Sequence, residues 1–172
     1  MESLDEVSEQ IKSIVLESIE GDKFVLTEKE SYLSKFLETL FETHDIVAGN
    51  GSSELGSDPE ETYCKLQLSS SILEKIVNFL KMRNGEKMIE IQKPITTDKF
   101  EKIQLINNTT INESISEFIN KLNKKEITQL IQASLYLILD DLLNLLSAKI
   151  ACILKLCNTT EEIQNEIETF KT

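Results

Sequence analysis

Histidine is almost missing from this sequence: His44 is the only one. At the end of a predicted helix it reads as a surface residue or a cation at the helix C-terminus. That leaves little room for imidazole-based acid–base chemistry. Cysteine is scarce too. Cys64, Cys152 and Cys157 are odd in number and lack metal-ligand spacing, so neither a disulfide framework nor a metal site is expected. They read as reduced, buried thiols of a cytoplasmic or nuclear protein. The five glycines form no phosphate-cradling loop after a strand, and Gly49-Asn50-Gly51-Ser52 reads as plain loop. Basic residues are outnumbered, 18 Lys and Arg against 30 Asp and Glu, for a net charge of −12. Nucleic acid is therefore excluded as an expected partner, because phosphate binding needs clustered cations. No long apolar run occurs: the longest, Leu135 to Leu146, is broken by Asp140-Asp141. No basic start followed by an apolar stretch marks a signal peptide. The expectation is a protein without cofactor, metal or membrane span. The acid pairs Asp140-Asp141 and Glu161-Glu162 read as helix-start charges, and Ser69-Ser70-Ser71 as a cap and turn.

What is present suits one domain with a helical extension. The chain has 172 residues, 40% of them hydrophobic and 28% charged. Residues 1–12 are polar and read as a frayed, flexible lead-in. Ile14-Val15-Leu16 and Phe24-Val25-Leu26 read as strands of a hairpin around Glu20-Gly21-Asp22. Ser31 is expected to cap a helix that buries Tyr32, Leu33, Phe36, Leu37, Leu40 and Phe41. Residues 48–61 form an acidic, glycine- and serine-rich loop. A third strand is expected from Tyr63 to Leu68. A capping box at Ser71 and Glu74 then opens a helix with Ile72, Leu73, Ile76, Val77, Phe79 and Leu80. Residues 82–110 are harder. Met88 to Gln92 alternates like a strand, Pro94 stops any helix, and Ile103, Leu105 and Ile106 add apolar surface. An edge strand and a loop both remain open there. Ile115, Phe118 and Ile119 mark a short helix over 111–122.

The last third is written as three helices. Ile127, Leu130, Ile131, Ser134 and Leu135 form one stripe. Leu142, Leu145, Leu146, Ile150, Ile153 and Leu154 form a second. Thr159 with Glu162 signals a third start, followed by Ile163, Ile167 and Phe170. The last two helices carry more apolar surface than they can hide on each other, which points to a protein partner.

The order of residues here resembles a known family. QASLYLILDDLLNLLSAKIACILK (132–155) followed by TTEEIQNEI (159–167) is similar to the C-terminal part of the S-phase kinase-associated protein family, the adaptors that join F-box proteins to a cullin in SCF-type ubiquitin ligases. Tyr136-Leu137, Leu142-Leu143, Lys155 and Glu161-Glu162-Ile163 fall in register. IVLESIEGDKFVL (14–26) resembles the family's opening hairpin, and SSSILEKIVNFLK (69–81) its helix after the acidic loop. The resemblance covers about residues 14–80 and 111–167. It departs from the family at Leu135, where the pattern has asparagine, at Thr160, where it has proline, and over 82–110. The family's further acidic helix with a tryptophan-containing tail has no counterpart here.

The resemblance implies an α+β protein: a BTB/POZ fold, a three-stranded sheet with helices over 13–140, plus C-terminal helices over 141–172 for an F-box-type partner. It implies a non-catalytic adaptor with two binding surfaces. Leu135 and Tyr136 would face the cullin; the competing reading makes both core residues. Ile150, Ile153, Leu154, Glu161, Ile163, Ile167 and Phe170 would face the F-box, by the physics of apolar anchors at helical spacing. Two alternatives stand beside it. One is a self-associating BTB module using 82–110. The other is an elongin C-like adaptor, against which the Glu161-Glu162-Ile163 extension argues.

Overall fold

The computed structural model describes residues 13–48 and 61–170. The lead-in expected over 1–12, and the acidic loop expected over 48–61 apart from its two ends, lie outside the described residues.

The alternating segments at the start form the expected hairpin. β1 (Ser13–Glu17) pairs antiparallel with β2 (Lys23–Thr27), Val15 opposite Val25. In the turn, Ser18 N–H donates to Asp22 O at 2.9 Å, and Gly21 takes φ +93°, which costs a residue without Cβ little. β3 (Glu61–Lys65) lies parallel to β1 on its other side, so the sheet order is β2-β1-β3. Ile14, Leu16 and Leu26 point into the core, while Val25 and Tyr63 flank Val15 on the outer face.

The helix expected after β2 begins differently. Thr27, not Ser31, is the cap. Its hydroxyl accepts from Glu30 N–H, while the Glu30 carboxylate accepts from Thr27 N–H, closing a capping box on the short α1 (Glu28–Ser31). Ser31 ends that turn, and Tyr32 faces solvent instead of joining the buried stripe. α2 (Lys35–Ala48) then starts behind Ser34, whose hydroxyl accepts from Leu37 N–H at 3.3 Å. Leu33, Leu37 and Phe41 are buried as expected. His44 falls within α2.

α3 (Ser70–Arg83) buries all six of its expected apolar residues, Ile72 to Leu80. The expected Ser71–Glu74 box is not how it starts. Ser69 is the cap residue and makes no side-chain cap bond; the Glu20 carboxylate, from the hairpin turn, accepts from Ser70 N–H at 2.8 Å. A carboxylate brought from 50 residues away does the work that a local cap does elsewhere.

Residues 84–110 add no strand to the sheet. They form an ordered lobe with two single antiparallel bridges, Ile91 to Leu105 and Gln104 to Thr110, and a 3₁₀ turn at Phe100–Lys102. Phe100, Ile103 and Leu105 are buried in the main core, and Ile106 is left outside. Asp141 fastens the lobe by accepting from Met88 N–H at 2.7 Å.

α4 (Glu113–Asn120) is capped by Asn112 and buries Ile115 and Ile119; Phe118 lies 6.3 Å from Phe79, ring to ring. α5 (Lys124–Tyr136) opens with a capping box between Asn123 and Glu126. α6 (Asp140–Leu154), expected to begin the helical extension, has Leu142, Leu145 and Leu146 fully buried in the same cluster as Ile14 and Leu16. α7 (Thr160–Glu168) is capped by Thr159, with the Glu162 carboxylate reaching back to Asn158 N–H, and has no fully buried residue. The chain is thus an α+β structure: among the described residues, a three-stranded sheet and seven helices around one core.

Candidate protein-binding surfaces

α5 buries Ile127, Leu130, Ala133 and Ser134 on one side, with Ile131 partly covered. Its end turns outward. Leu135 is 59% exposed and Tyr136 is 47% exposed, so both belong to the surface and neither to the core. The Tyr136 ring rests on Phe36 of α2, with centroids 5.5 Å apart. An aromatic ring held on one face and open on the other suits a contact anchor.

The turn after α5 explains this outward orientation. Leu139 N–H donates to Ser134 O at 2.8 Å and Ile138 N–H to Leu135 O at 3.4 Å, the bond pair of a Schellman helix end. The left-handed residue in that motif is ordinarily glycine. Here it is Ile138, at φ +51°. A β-branched residue in this region is strained by about 1–2 kcal/mol. Three bonds from the start of α2 hold it. The buried Ser34 hydroxyl donates to Leu137 O at 2.6 Å, Phe36 N–H donates to Leu137 O and Lys35 N–H to Ile138 O. The isoleucine side chain is 46% exposed. No glycine or asparagine marks this turn in the sequence. The only local sign is the helix-start pair Asp140-Asp141 just beyond it.

Beside this turn lies a groove of about 690 Å³ between α1, α2, Gly85 and the start of α6. Among the described residues, Glu28, Glu38, Glu42, Asp140 and Asp141 line it against Lys35 and Lys87, over a floor of Leu33 and Phe41. Asp140 stands 4.0 Å from Lys35, an exposed pair of little energetic weight.

The second expected surface is divided. Ile150, Ile153 and Phe170 are partly buried and pack against the core. Leu154 and Ile163 are half-buried, Glu161 faces solvent and Ile167 is 42% exposed. One cation ties the end of α7 to the start of α5. Lys124 Nζ lies 2.5 Å from Glu166, donates to Thr169 Oγ1 at 3.0 Å and sits over the Phe170 ring at 5.6 Å. Thr128 Oγ1 donates to Phe170 O at 2.9 Å. These α5 residues carry no apolar periodicity, which is why the sequence does not single them out.

Cys152 is buried in α6, and burial pushes its thiol above the usual range, as it does for Cys64. Thiols so protonated are poor nucleophiles. Glu20 is held below the usual carboxylate range, first by the Ser70 backbone N–H. Among the described residues no three His, Cys, Asp or Glu side chains are grouped to hold a metal ion, and no helix is long and apolar enough to cross a membrane. No protein-family model matches the chain, and no curated protein matches it.

Proposed function

We propose that the protein is a non-catalytic adaptor that joins a cullin scaffold to an F-box-type substrate receptor in an SCF-like ubiquitin ligase. The observation that carries this reading is the exposed end of α5. Leu135 and Tyr136 keep about half of their surface exposed on a chain that has already buried a full core. These are the positions that the resemblance assigns to the cullin. The finer fold assignment, BTB/POZ, is part of the same proposal. It is supported by the order of hairpin, helices, third strand parallel to β1, and helix. The receptor would meet the exposed side of α7, at Ile163 and Ile167 with Glu161, where no core packing is lost on binding. Ile150, Ile153 and Phe170 would support that face from beneath. Co-purification of the full chain with a cullin N-terminal region and with an F-box helix tests the reading. Tyr136→Ala is expected to weaken the cullin and spare the F-box, and Ile167→Asp the reverse. Failure of the folded protein to bind either would refute it.

A second reading rests on the sheet. Among the described residues β2 and β3 are the outer strands of the sheet, and Val25 and Tyr63 expose apolar surface on them. A self-associating module would use that face. A strict monomer by light scattering at micromolar concentration rules it out, and the net charge of −12 on every copy works against it.

A further inference from the structure

Ile138 carries backbone strain, and it keeps nearly half of its surface exposed instead of burying it in the core. Its backbone takes the left-handed turn at φ +51°, where glycine or asparagine fits with little penalty, and the residue is only half-covered by the fold. Strain of this kind persists where the surroundings over-determine it, and the three bonds from Ser34, Lys35 and Phe36 to the turn do so. They fix the backbone of Ile138 next to the end of α5, where its N–H donates to Leu135 O. The acidic groove continues from the same place. Lys35 donates its N–H to Ile138 O and lines the groove, and so does Asp140, two residues on. An apolar patch thus adjoins, through Lys35 and Asp140, a trough to which the described residues bring five carboxylates and two ammonium groups.

We propose that Ile138 is a binding residue. With Leu135 and Tyr136 it anchors an amphipathic helix of a partner protein whose apolar residues are followed by Lys or Arg that run into the Glu28–Glu38–Glu42–Asp140–Asp141 groove. A second copy of this chain fits poorly, because it would bring another net charge of −12 to an acidic trough. A basic helix has the complementary charge, and its apolar stripe matches the patch. The inference rests on the reading that the end of α5 faces a partner, and it adds the partner's chemistry and a residue outside the family's Asn-Tyr positions.

The test uses the full chain with Ile138→Asn and Ile138→Gly, and Tyr136→Ala for comparison. The probes are a helical peptide of Leu and Lys, the same pattern with Glu for Lys, and a cullin N-terminal fragment. The two Ile138 variants should melt no lower than the parent, and up to about 2–8 °C higher. Both should bind the Leu/Lys peptide about tenfold more weakly, the loss of one anchor. The parent's affinity should fall with salt, and the Leu/Glu peptide should not bind. Lower melting temperatures in both variants would make Ile138 a folding residue and overturn the proposal, as would peptide binding that ignores Ile138. Cullin binding lost in Tyr136→Ala but intact in Ile138→Asn overturns this inference and leaves the adaptor reading standing. Ile138-dependent peptide binding without cullin binding does the opposite.

Discussion

Gly85 occupies a position that no other residue would fill without displacement. It follows Asn84 in a left-handed helix end, has φ +77°, and a Cβ built on it would come 2.4 Å from Lys29 O. Backbone cannot step aside as a side-chain tip can. Gly85→Ala is expected to cost about 2–3 kcal/mol, measured by urea unfolding; a change within error would contradict the close approach. Glu20 gives a pH prediction of definite sign. Its carboxyl is held below the usual range by Ser70 N–H in the folded chain only. The stabilisation is therefore present above the ordinary carboxylate pKa and is lost as pH falls through the folded value. As pH drops from about 5 towards 3, the parent should lose more melting temperature than Glu20→Gln. Parallel pH profiles of the two proteins would remove Glu20 from the account.

At the scale of elements, α7 is the least embedded piece. It has no buried residue, and its end is tied down through Lys124 and Thr128. Lys124→Met keeps the stem that packs over Phe170 but removes the charge. Global stability should move by less than about 1 kcal/mol, while amide exchange over 160–168 should accelerate relative to α3 and α5. Unchanged exchange would mean that the Phe170 packing alone secures the helix. Helix starts also show how far local reading reaches. The Thr27–Glu30 box lies within one short window of sequence, but the apolar stripe that opens at Tyr32 makes Ser31 the expected cap. Ser34 and Glu20 are different. Their partners, Leu137 O and Ser70 N–H, lie 103 and 50 residues away, so no window along the chain contains both members.

For the whole molecule, the decisive feature is that residues 84–110 share the core of the sheet. Phe100 and Ile103 belong to one cluster with Ile14, Leu73 and Leu145. Phe100→Ala should therefore cost about 3–5 kcal/mol and leave one cooperative transition by circular dichroism and calorimetry. A separate early transition for the 84–110 lobe would show that it folds on its own account.

Periodicity alone determined the hairpin, the stripe of α3 and the helices α4 to α7, because a 2.0 or 3.6 repeat of apolar residues is local and is obeyed before any long-range contact forms. It also showed an apolar excess on the last two helices, much of which the structure packs into or against the core through Leu142, Leu145, Leu146, Ile150, Ile153 and Phe170. Periodicity could not say which side of Leu135 and Tyr136 meets water, because a helix end is turned by what clamps it, here Ser34, Lys35 and Phe36 of α2. Nor could it place Phe100 inside, or put an isoleucine in a left-handed turn. Those outcomes depend on distant surfaces meeting, and only the tertiary structure holds both halves of each contact.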